Sequence, residues 1–310
     1  MTRVATALLG LAPVVPFVTF TITDAVPARV VTREFRVTST RQVLRYWTLD
    51  RMDKAVTRPV RLHRRRSPLV AGLFPQERSA PSTHSSGELW PSRGAVRKTV
   101  GKVFFTMNGK DFLCSAATVR SASRDLVVTA GHCAKNGRGA WAENWIFVPG
   151  YRDGGGADGG YTARRMFVAD QWSKSGDDDY DVAMVAVAPT DGKHVADVVG
   201  ANPIGFERPR GRRVFGFGYP AGGRYDGERL AYCSGRPAGD PHGVTDAEGL
   251  HCDMTQGSSG GPWLSTFDLS TGTGLITSVS SFKYADDDVT MYGPYFGAAI
   301  RRLYEQAQKG

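Results

Sequence analysis

The chain has 310 residues, 41% of them hydrophobic, and its 39 Lys and Arg against 30 Asp and Glu give a net charge of +9. This length and apolar content exclude a disordered chain and suffice for one large or two medium domains. The charge does not predict a nucleic-acid partner, because its excess lies in residues 29–97, whereas residues 98–310 are nearly balanced in charge.

Residues 1–28 have the features of a secretory signal peptide. Arg3 precedes an apolar stretch, Val4–Phe20, and small residues follow it. Pro13 and Pro16 interrupt this stretch, which favours a cleaved signal over the alternative of a permanent membrane anchor. We therefore expect a secreted, extracellular protein with no stable membrane association after the signal is removed.

Residues 29–94 differ in composition from the rest of the chain. They contain the basic run Arg61–Arg66 and a stretch rich in Ser and Pro, Ser79–Ser92. Such a composition is typical of a linker, or of a pro-segment that is removed by cleavage after the basic run. A solvated arm that stays attached is the alternative. In either case we expect a separate folded domain over residues 95–310.

From residue 95, short runs of β-forming residues are separated by glycine and proline. The first run is followed by Asn108-Gly109, a typical two-residue hairpin turn. Helical spacing occurs only near the C-terminus, where Ala298, Ile300, Leu303 and Tyr304 would share a face. Because strands and helices do not alternate, we expect an all-β fold of antiparallel barrels or a sandwich. The other predicted strand runs are residues 126–130, 144–150, 181–187, 212–220 and 274–282.

The chain has four cysteines, Cys114, Cys133, Cys233 and Cys252, and an even number in an exported protein indicates disulfides. Three connectivities are possible. We expect Cys114–Cys133 and Cys233–Cys252, because each pair is separated by 19 positions and flanks a predicted hairpin. No two cysteines have the spacing of a zinc site, and we predict no metal or cofactor. The run Asp153–Gly160 is typical of a surface loop, with a calcium loop as the alternative.

Three segments carry residues that can do chemistry. LVVTAGHC delivers His132 at the end of an apolar strand, and Asp181 opens the apolar run DVAMVAV, where a buried carboxylate needs a partner such as an imidazole. Ser259 lies in QGSSGGPW, which fits a plain loop, a strand-to-helix nucleophile elbow or another nucleophile turn. An elbow requires a histidine after the serine, and no histidine follows Ser259. The available order is His132, Asp181, Ser259.

With these residues the sequence resembles the chymotrypsin-like (trypsin-like) serine proteases over about residues 95–310, particularly the secreted bacterial branch near the glutamyl endopeptidases. The motifs that carry the resemblance are Cys114–Ala117, Thr129–Cys133, Asp181–Ala183 and Gly257–Pro262. The resemblance implies two packed six-stranded antiparallel β-barrels with a short C-terminal helix. It also implies a monomeric serine endopeptidase that acts on protein or peptide substrates without a cofactor.

The resemblance also assigns the catalytic roles. His132 would act as general base and then acid, Asp181 would orient it, and Ser259 would attack the scissile carbonyl to form an acyl-enzyme. The backbone N–H groups of Gly257 and Ser259 would form the oxyanion hole. A catalytically silent relative that binds peptides in the same cleft is the alternative.

The substrate pocket is less determined by the sequence. Asp253 lies six residues before Ser259, at the base of the specificity pocket in trypsin-like enzymes, and predicts cleavage after Arg or Lys. The alternatives are a carboxylate hydrogen-bonded within its own loop, or a pocket for acidic residues lined by cations or histidines. We expect the segment GLITSVSSF to pair with substrate, with Ser278 and Ser280 as candidate pocket residues and Ser281 also possible.

One position departs from the family pattern. Many relatives have an aspartate before the nucleophile, which pairs with a new N-terminus when the zymogen is cleaved, but this chain has Ser258. A serine cannot form that ion pair. We therefore expect a pro-segment to block the cleft or to assist folding, and we expect chains starting between residues 67 and 95 to be similarly active.

Overall fold

The computed structural model describes residues 29–35, 39–57, 62–63 (backbone only), 81–91, 93–156 and 159–310. The predicted signal peptide, residues 1–28, and part of the predicted surface loop, residues 157–158, lie outside the described residues. Within the described ranges, no helix combines the length and apolar character needed to cross a membrane.

The described chain is mostly β-structure, numbered here in chain order. The strands are β1 Val30–Glu34, β2 Val56–Thr57, β3 Leu62–His63, β4 Ser85–Leu89, β5 Val100–Met107, β6 Lys110–Val119, β7 Leu126–Thr129, β8 Glu143–Pro149, β9 Tyr161–Ala169, β10 Ala183–Val187, β11 Val214–Gly218, β12 Ala231–Gly235, β13 Ala238–Gly239, β14 Glu248–His251, β15 Pro262–Asp268, β16 Thr273–Val279, β17 Lys283–Tyr284 and β18 Thr290–Gly293. The helices are α1 Ser39–Tyr46, α2 Leu49–Asp53, α3 Val96–Thr99, α4 Asp170–Ser175, α5 Val195–Val199 and α6 Ala298–Ala307.

The first half is a closed six-stranded antiparallel barrel. Its strands follow the order β9-β10-β7-β6-β5-β8, and pairing of β8 with β9 closes the ring. The predicted hairpin is confirmed between β5 and β6, where Asn108 and Gly109 both have positive φ, as a type I′ turn requires. Side chains alternate along β5, so Phe105 packs in the core with Trp145 while Phe104 packs in a second core.

The second half contains two antiparallel sheets. One has the order β16-β15-β11-β12-β4 and the other the order β13-β14-β18. The disulfide Cys233–Cys252 joins β12 to the residue after β14, and a bridge between Phe282 and Tyr292 links the chain after β16 to β18. The predicted all-β class of two packed halves is confirmed, and so are both predicted disulfides, the other being Cys114–Cys133.

The two halves share one hydrophobic core. Phe104 and Val128 of the first barrel pack in the same cluster as Phe217 and Leu264 of the second half. The predicted C-terminal helix is confirmed as α6, which buries Ile300 and Leu303 in this cluster. This shared core fixes the position of one half relative to the other.

Parts of the N-terminal segment are folded onto the barrels. Strand β1 pairs with β9, and the buried Trp47 packs against Phe104 and donates to the Asn144 carbonyl at 2.5 Å. Strand β4 is an edge strand beside β12, and β3 pairs in parallel with β17. Sequence composition did not indicate this packing, because isolated apolar residues such as Trp47 are spaced without a clear period.

Candidate active site

His132 and Asp181 are brought together by the pairing of two barrel strands. Strand β7 leads into a 3₁₀ turn that carries His132, and β10, which begins just after Asp181, pairs with β7 so that Ala183 faces Thr129. Nδ1 of His132 lies 2.7 Å from Oδ2 of Asp181, and the backbone N–H of His132 donates to Oδ1 at 2.7 Å. The carboxylate thus holds both the ring and the backbone of the histidine.

Gly131 makes this close approach possible. A Cβ at Gly131 would lie 2.8 Å from Oδ1 of Asp181 and 2.9 Å from Nε1 of Trp172, which is closer than side chains normally pack. The neighbouring residue Cys133 is tied to Cys114 on β6. The turn around His132 is therefore fixed on one side by a disulfide and on the other by Asp181.

Asp181 is buried, with 2% of its surface exposed. Burial alone would raise the pKa of its carboxyl, but the charge of His132 and the hydrogen bonds from His132 and Ser281 outweigh it and lower the pKa overall. The Ser281 hydroxyl donates to Oδ2 at 2.5 Å. An ionised carboxylate accepts only, so it holds a proton on Nδ1 of His132 and leaves Nε2 of the neutral ring as an acceptor.

Ser259 is attached to the histidine region through strand β6. Its carbonyl accepts the Ser115 N–H at 2.7 Å and lies 3.9 Å from Sγ of Cys133. The Ser115 hydroxyl donates to the Gly257 carbonyl at 2.8 Å, and the Thr129 hydroxyl donates to the Ser115 carbonyl at 2.8 Å. Ser115 thus links the turn before β15 to the end of β7. The sequence motif containing Ser115 was a marker of the family, but its role was not predicted.

The turn around Ser259 carries hydrogen-bonding groups that have no partner among the described residues. Oγ of Ser259 is buried and has no hydrogen-bond partner among the described residues. The backbone N–H groups of Gly257 and Ser259 likewise donate to no other residue that the structure describes. Gly257 has φ +98°, and a Cβ there would lie 2.5 Å from the Tyr219 carbonyl. A non-glycine residue would therefore disturb the turn that directs these two donors.

Comparisons with known proteins agree with this geometry. The trypsin-like peptidase domain family matches residues 114–268, half of the chain. The chain belongs to this family. The protease Anisep from Arthrobacter nicotinovorans is 40% identical, with a TM-score of 0.66 over 69% of this chain and 96% of that protease. A search of curated protein sequences finds no match.

Two further solved structures are similar to this trypsin-like peptidase. The thermostable serine protease AL20 from an extremophilic microorganism is 38% identical, with a TM-score of 0.65 over 69% of this chain and 99% of AL20. A Glu endopeptidase is 18% identical, with a TM-score of 0.59 over 73% of this chain and 98% of that protein, and shares the fold. The predicted resemblance to chymotrypsin-like serine proteases of bacteria is confirmed.

In this peptidase the Asp253 carboxylate is occupied by its own chain. Nη2 of Arg224 lies 2.5 Å from Oδ2, and the Tyr225 hydroxyl donates to Oδ1 at 2.7 Å. The Asp253 N–H donates to the Ser86 carbonyl at 2.6 Å, and Arg224 also donates to the Gly87 carbonyl at 2.6 Å. Asp253 and Arg224 are therefore both hydrogen-bonded to strand β4, and the negative charge of Asp253 is paired with Arg224.

The predicted wall serines have different partners. The Ser278 hydroxyl donates to the Pro294 carbonyl at 2.9 Å, and Ser280 accepts from Nε1 of Trp263 at 3.1 Å, with both serines buried. Ser281 instead contacts Asp181, as described above. Of these three serines, the structure brings Ser281 into contact with Asp181 of the His132–Asp181 pair.

Lys283 is a buried cation that the sequence did not single out. Its Nζ donates to the Cys252 carbonyl at 2.7 Å and to the Asp288 carbonyl. Burial lowers its pKa to about 8, against the opposing effect of nearby carboxylates, chiefly Asp253. Because it follows Ser281 by two positions, it places a titratable amine beside the predicted substrate wall.

Ser258, the residue before Ser259, is held within its own turn. It is fully buried, and its hydroxyl donates to the Thr255 carbonyl at 2.6 Å. Ser258 thus closes a local turn within residues 255–258.

Proposed function

We propose that this trypsin-like peptidase is a secreted serine endopeptidase that cleaves peptide bonds through an acyl-enzyme on Ser259. The observation that carries the proposal is the doubly hydrogen-bonded His132–Asp181 pair, at 2.7 Å for each contact, joined to the nucleophile turn through strand β6. His132, Asp181 and Ser259 come from three separate segments, in the chain order of one known form of the catalytic triad.

The first half of the reaction forms the acyl-enzyme. Asp181 keeps the His132 proton on Nδ1, so Nε2 takes the proton of Ser259 Oγ as that oxygen attacks the scissile carbonyl carbon. The carbonyl oxygen becomes an oxyanion, which accepts hydrogen bonds from the N–H groups of Gly257 and Ser259. Removing one such donor typically costs about 3–4 kcal/mol of transition-state stabilisation. The imidazolium then protonates the leaving amine, and the C–N bond breaks.

The second half of the reaction releases the acid product. Nε2 of His132 deprotonates a water molecule, which attacks the ester carbonyl and forms a second oxyanion in the same hole. Collapse of this intermediate breaks the C–O bond to Ser259, and the histidine returns the proton to Oγ. No metal or cofactor is needed for either half.

We also propose that residues 1–28 are a signal peptide and that residues after it include a removable pro-segment. Two disulfides support an oxidising, extracellular location. The backbone of Leu62–His63 pairs with Lys283–Tyr284, directly beyond Ser281, which favours a pro-segment that covers the substrate wall. Cleavage after Arg66 would remove every element from β1 to β3 but keep β4, so we place the mature N-terminus between residues 67 and 81 rather than at 95.

Labelling with a fluorophosphonate tests the proposed nucleophile. We expect the purified secreted protein to be labelled and Ser259→Ala not to be labelled. Ser258→Ala is the matched control, because it removes the adjacent serine, whose hydroxyl donates to Thr255, and it should retain the label. Equal labelling of wild type and Ser259→Ala would contradict the assignment and leave a catalytically silent peptide-binding protein.

A further inference from the structure

We propose that an arginine-lined groove in the second half is an exosite that binds acidic segments of the polypeptide substrate. The proposal deepens the proposed endopeptidase function and rests on it only for the identity of the ligand as substrate. The groove has a volume of about 450 Å³ and is lined by Arg208, Arg212, Arg213 and Arg236, with Tyr295 and Phe296 on one wall. We call it the arginine groove.

The arginine groove has a strong excess of positive charge. Glu248 is the one carboxylate among its described lining residues, and this carboxylate accepts the Gly211 N–H at 2.8 Å. Arg208 and Arg212 are exposed, and within the described part of the chain neither has a carboxylate at ion-pair distance. Two guanidinium groups are therefore available for carboxylates of a ligand, each with a geometry suited to bidentate binding.

The other two arginines are held in position. Arg213 donates to the Thr83 carbonyl at 2.7 Å, and Arg236 donates to the Gly211 carbonyl at 3.3 Å. Both bonds use backbone acceptors, so neither neutralises the charge. Positive charge that is fixed before binding costs less ordering entropy when a ligand arrives. The arginine groove thus combines two fixed and two adaptable cations.

The apolar wall favours a polypeptide as the ligand. Tyr295, which is half-buried, lines the groove beside the arginines, and the Arg210 guanidinium lies 4.1 Å from the centre of its ring. Val214 and Phe296 also line the groove but are almost fully buried. A sulfated polysaccharide or a nucleic-acid backbone would satisfy the charges but offers few apolar groups for this wall. Arginine next to aromatic residues is typical of protein interfaces. We therefore assign the groove to acidic peptide segments that also carry apolar side chains.

The arginine groove lies within reach of a substrate bound at the nucleophile. Thr266 on β15 lines the groove and is seven positions after Ser259. A span of that length is at most about 25 Å. An extended segment of about eight residues has the same length, so a substrate with its peptide bond at Ser259 needs about eight or more residues beyond that bond to reach the groove over the surface.

Fluorescence anisotropy tests binding without requiring catalysis. The probe is a labelled peptide of alternating glutamate and leucine, added to the full-length Ser259→Ala protein so that it is not cleaved. We expect it to bind more tightly than its counterpart with glutamine for each glutamate. Arg208→Gln/Arg212→Gln should weaken binding about tenfold, since two exposed charge pairs are lost. Arg120→Gln/Lys309→Gln is the control, because it removes the same charge at two exposed positions that do not line the groove.

Kinetics test whether the groove serves cleavage. A substrate with the glutamate–leucine tail should have a lower KM than the same substrate without it, and Arg208→Gln/Arg212→Gln should abolish this difference while leaving the untailed substrate unchanged. Equal binding of the glutamate and glutamine peptides, or equal loss in the control variant, would overturn the proposal. Binding of heparin through these arginines without binding of the glutamate peptide would overturn the assignment to peptides. Anisotropy uses Ser259→Ala and so does not depend on catalysis. Peptide binding by this variant, together with no proteolysis by the wild-type protein, would refute the proposed function alone.

Discussion

Replacement of Asp181 by asparagine tests the central contact of the site. Oδ1 accepts the backbone N–H of His132, so an asparagine at this position keeps its carbonyl oxygen there and directs its NH₂ towards Nδ1 of the ring. An NH₂ group donates, so Nδ1 must become the acceptor and Nε2 must carry the ring proton. The imidazole then has no acceptor for the proton of Ser259. The side chain stays close in shape, so the perturbation is chiefly one of tautomer and charge.

The expected loss of activity is large because two effects add. The neutral ring is held in the unproductive tautomer, and the imidazolium that forms during attack loses its carboxylate partner in a buried site, where Asp181 is only 2% exposed. The same change in a serine protease triad lowers kcat by about 10⁴. That factor corresponds to about 5 kcal/mol of transition-state stabilisation. KM should change little, because the carboxylate does not face the substrate.

Steady-state kinetics on a peptide substrate measure kcat and KM of Asp181→Asn, and active-site titration corrects for folded enzyme. A second readout is acid stability. The pKa of Asp181 is lowered in the folded protein, so its contribution is fully present above the ordinary carboxyl pKa of about 4 and is lost as pH falls through the lower folded value. The stability of Asp181→Asn should lack this pH-dependent contribution. A decrease in kcat of less than tenfold would refute the assigned role of the carboxylate.

Three other variants have defined outcomes. Asp253→Asn should leave the preference for the residue before the scissile bond unchanged in a peptide library while hydrogen exchange rises at Ser86–Gly87; a lost preference for Arg or Lys would identify a pocket base instead. Lys283→Met should remove a rise in urea-unfolding free energy of up to about 3 kcal/mol between pH 8 and 10.5, because the unfolded chain binds more protons in this range; identical pH profiles would contradict the buried amine. Replacing Cys233 and Cys252 by serine should lower the unfolding free energy by about 3 kcal/mol, and an unchanged midpoint would contradict this.

The contact between His132 and Asp181 and the barrel fold could be predicted because their signals are local. His132 follows an apolar strand and a glycine, and Asp181 precedes another strand, so the pairing of two strands is enough to bring them together. The absence of histidine after Ser259 excluded the competing fold by chain order alone. Ser281 was one of three wall serines in sequence, and only the twist and register of the wall after β16 direct it to the carboxylate.

The spacing of Asp253 along the chain did not predict the partners of its carboxylate. Its distance from Ser259 in sequence suggested a pocket base, but the partners of its carboxylate come from other segments. Arg224 lies in the loop before β12, and Gly87 lies on β4, in a segment whose composition suggested a linker. A Cβ at Gly87 would lie 1.7 Å from Oδ1 of Asp253, so the close approach depends on that glycine. Tertiary contacts therefore decide whether the charge of Asp253 is available to a substrate.

The arginine groove could not be predicted from the net charge of the chain. Residues 98–310 are nearly balanced, which argued against a basic surface, yet a sum over the chain has no information on position. Acidic runs at Asp177–Asp179 and Asp286–Asp288 offset the arginines in number, but neither run lines the groove. Because salt limits the interaction of exposed charges to about 10 Å, a net charge summed over the chain does not give the field at the groove. A balanced domain can therefore carry a strongly basic site, and binding there should weaken steeply as salt is added.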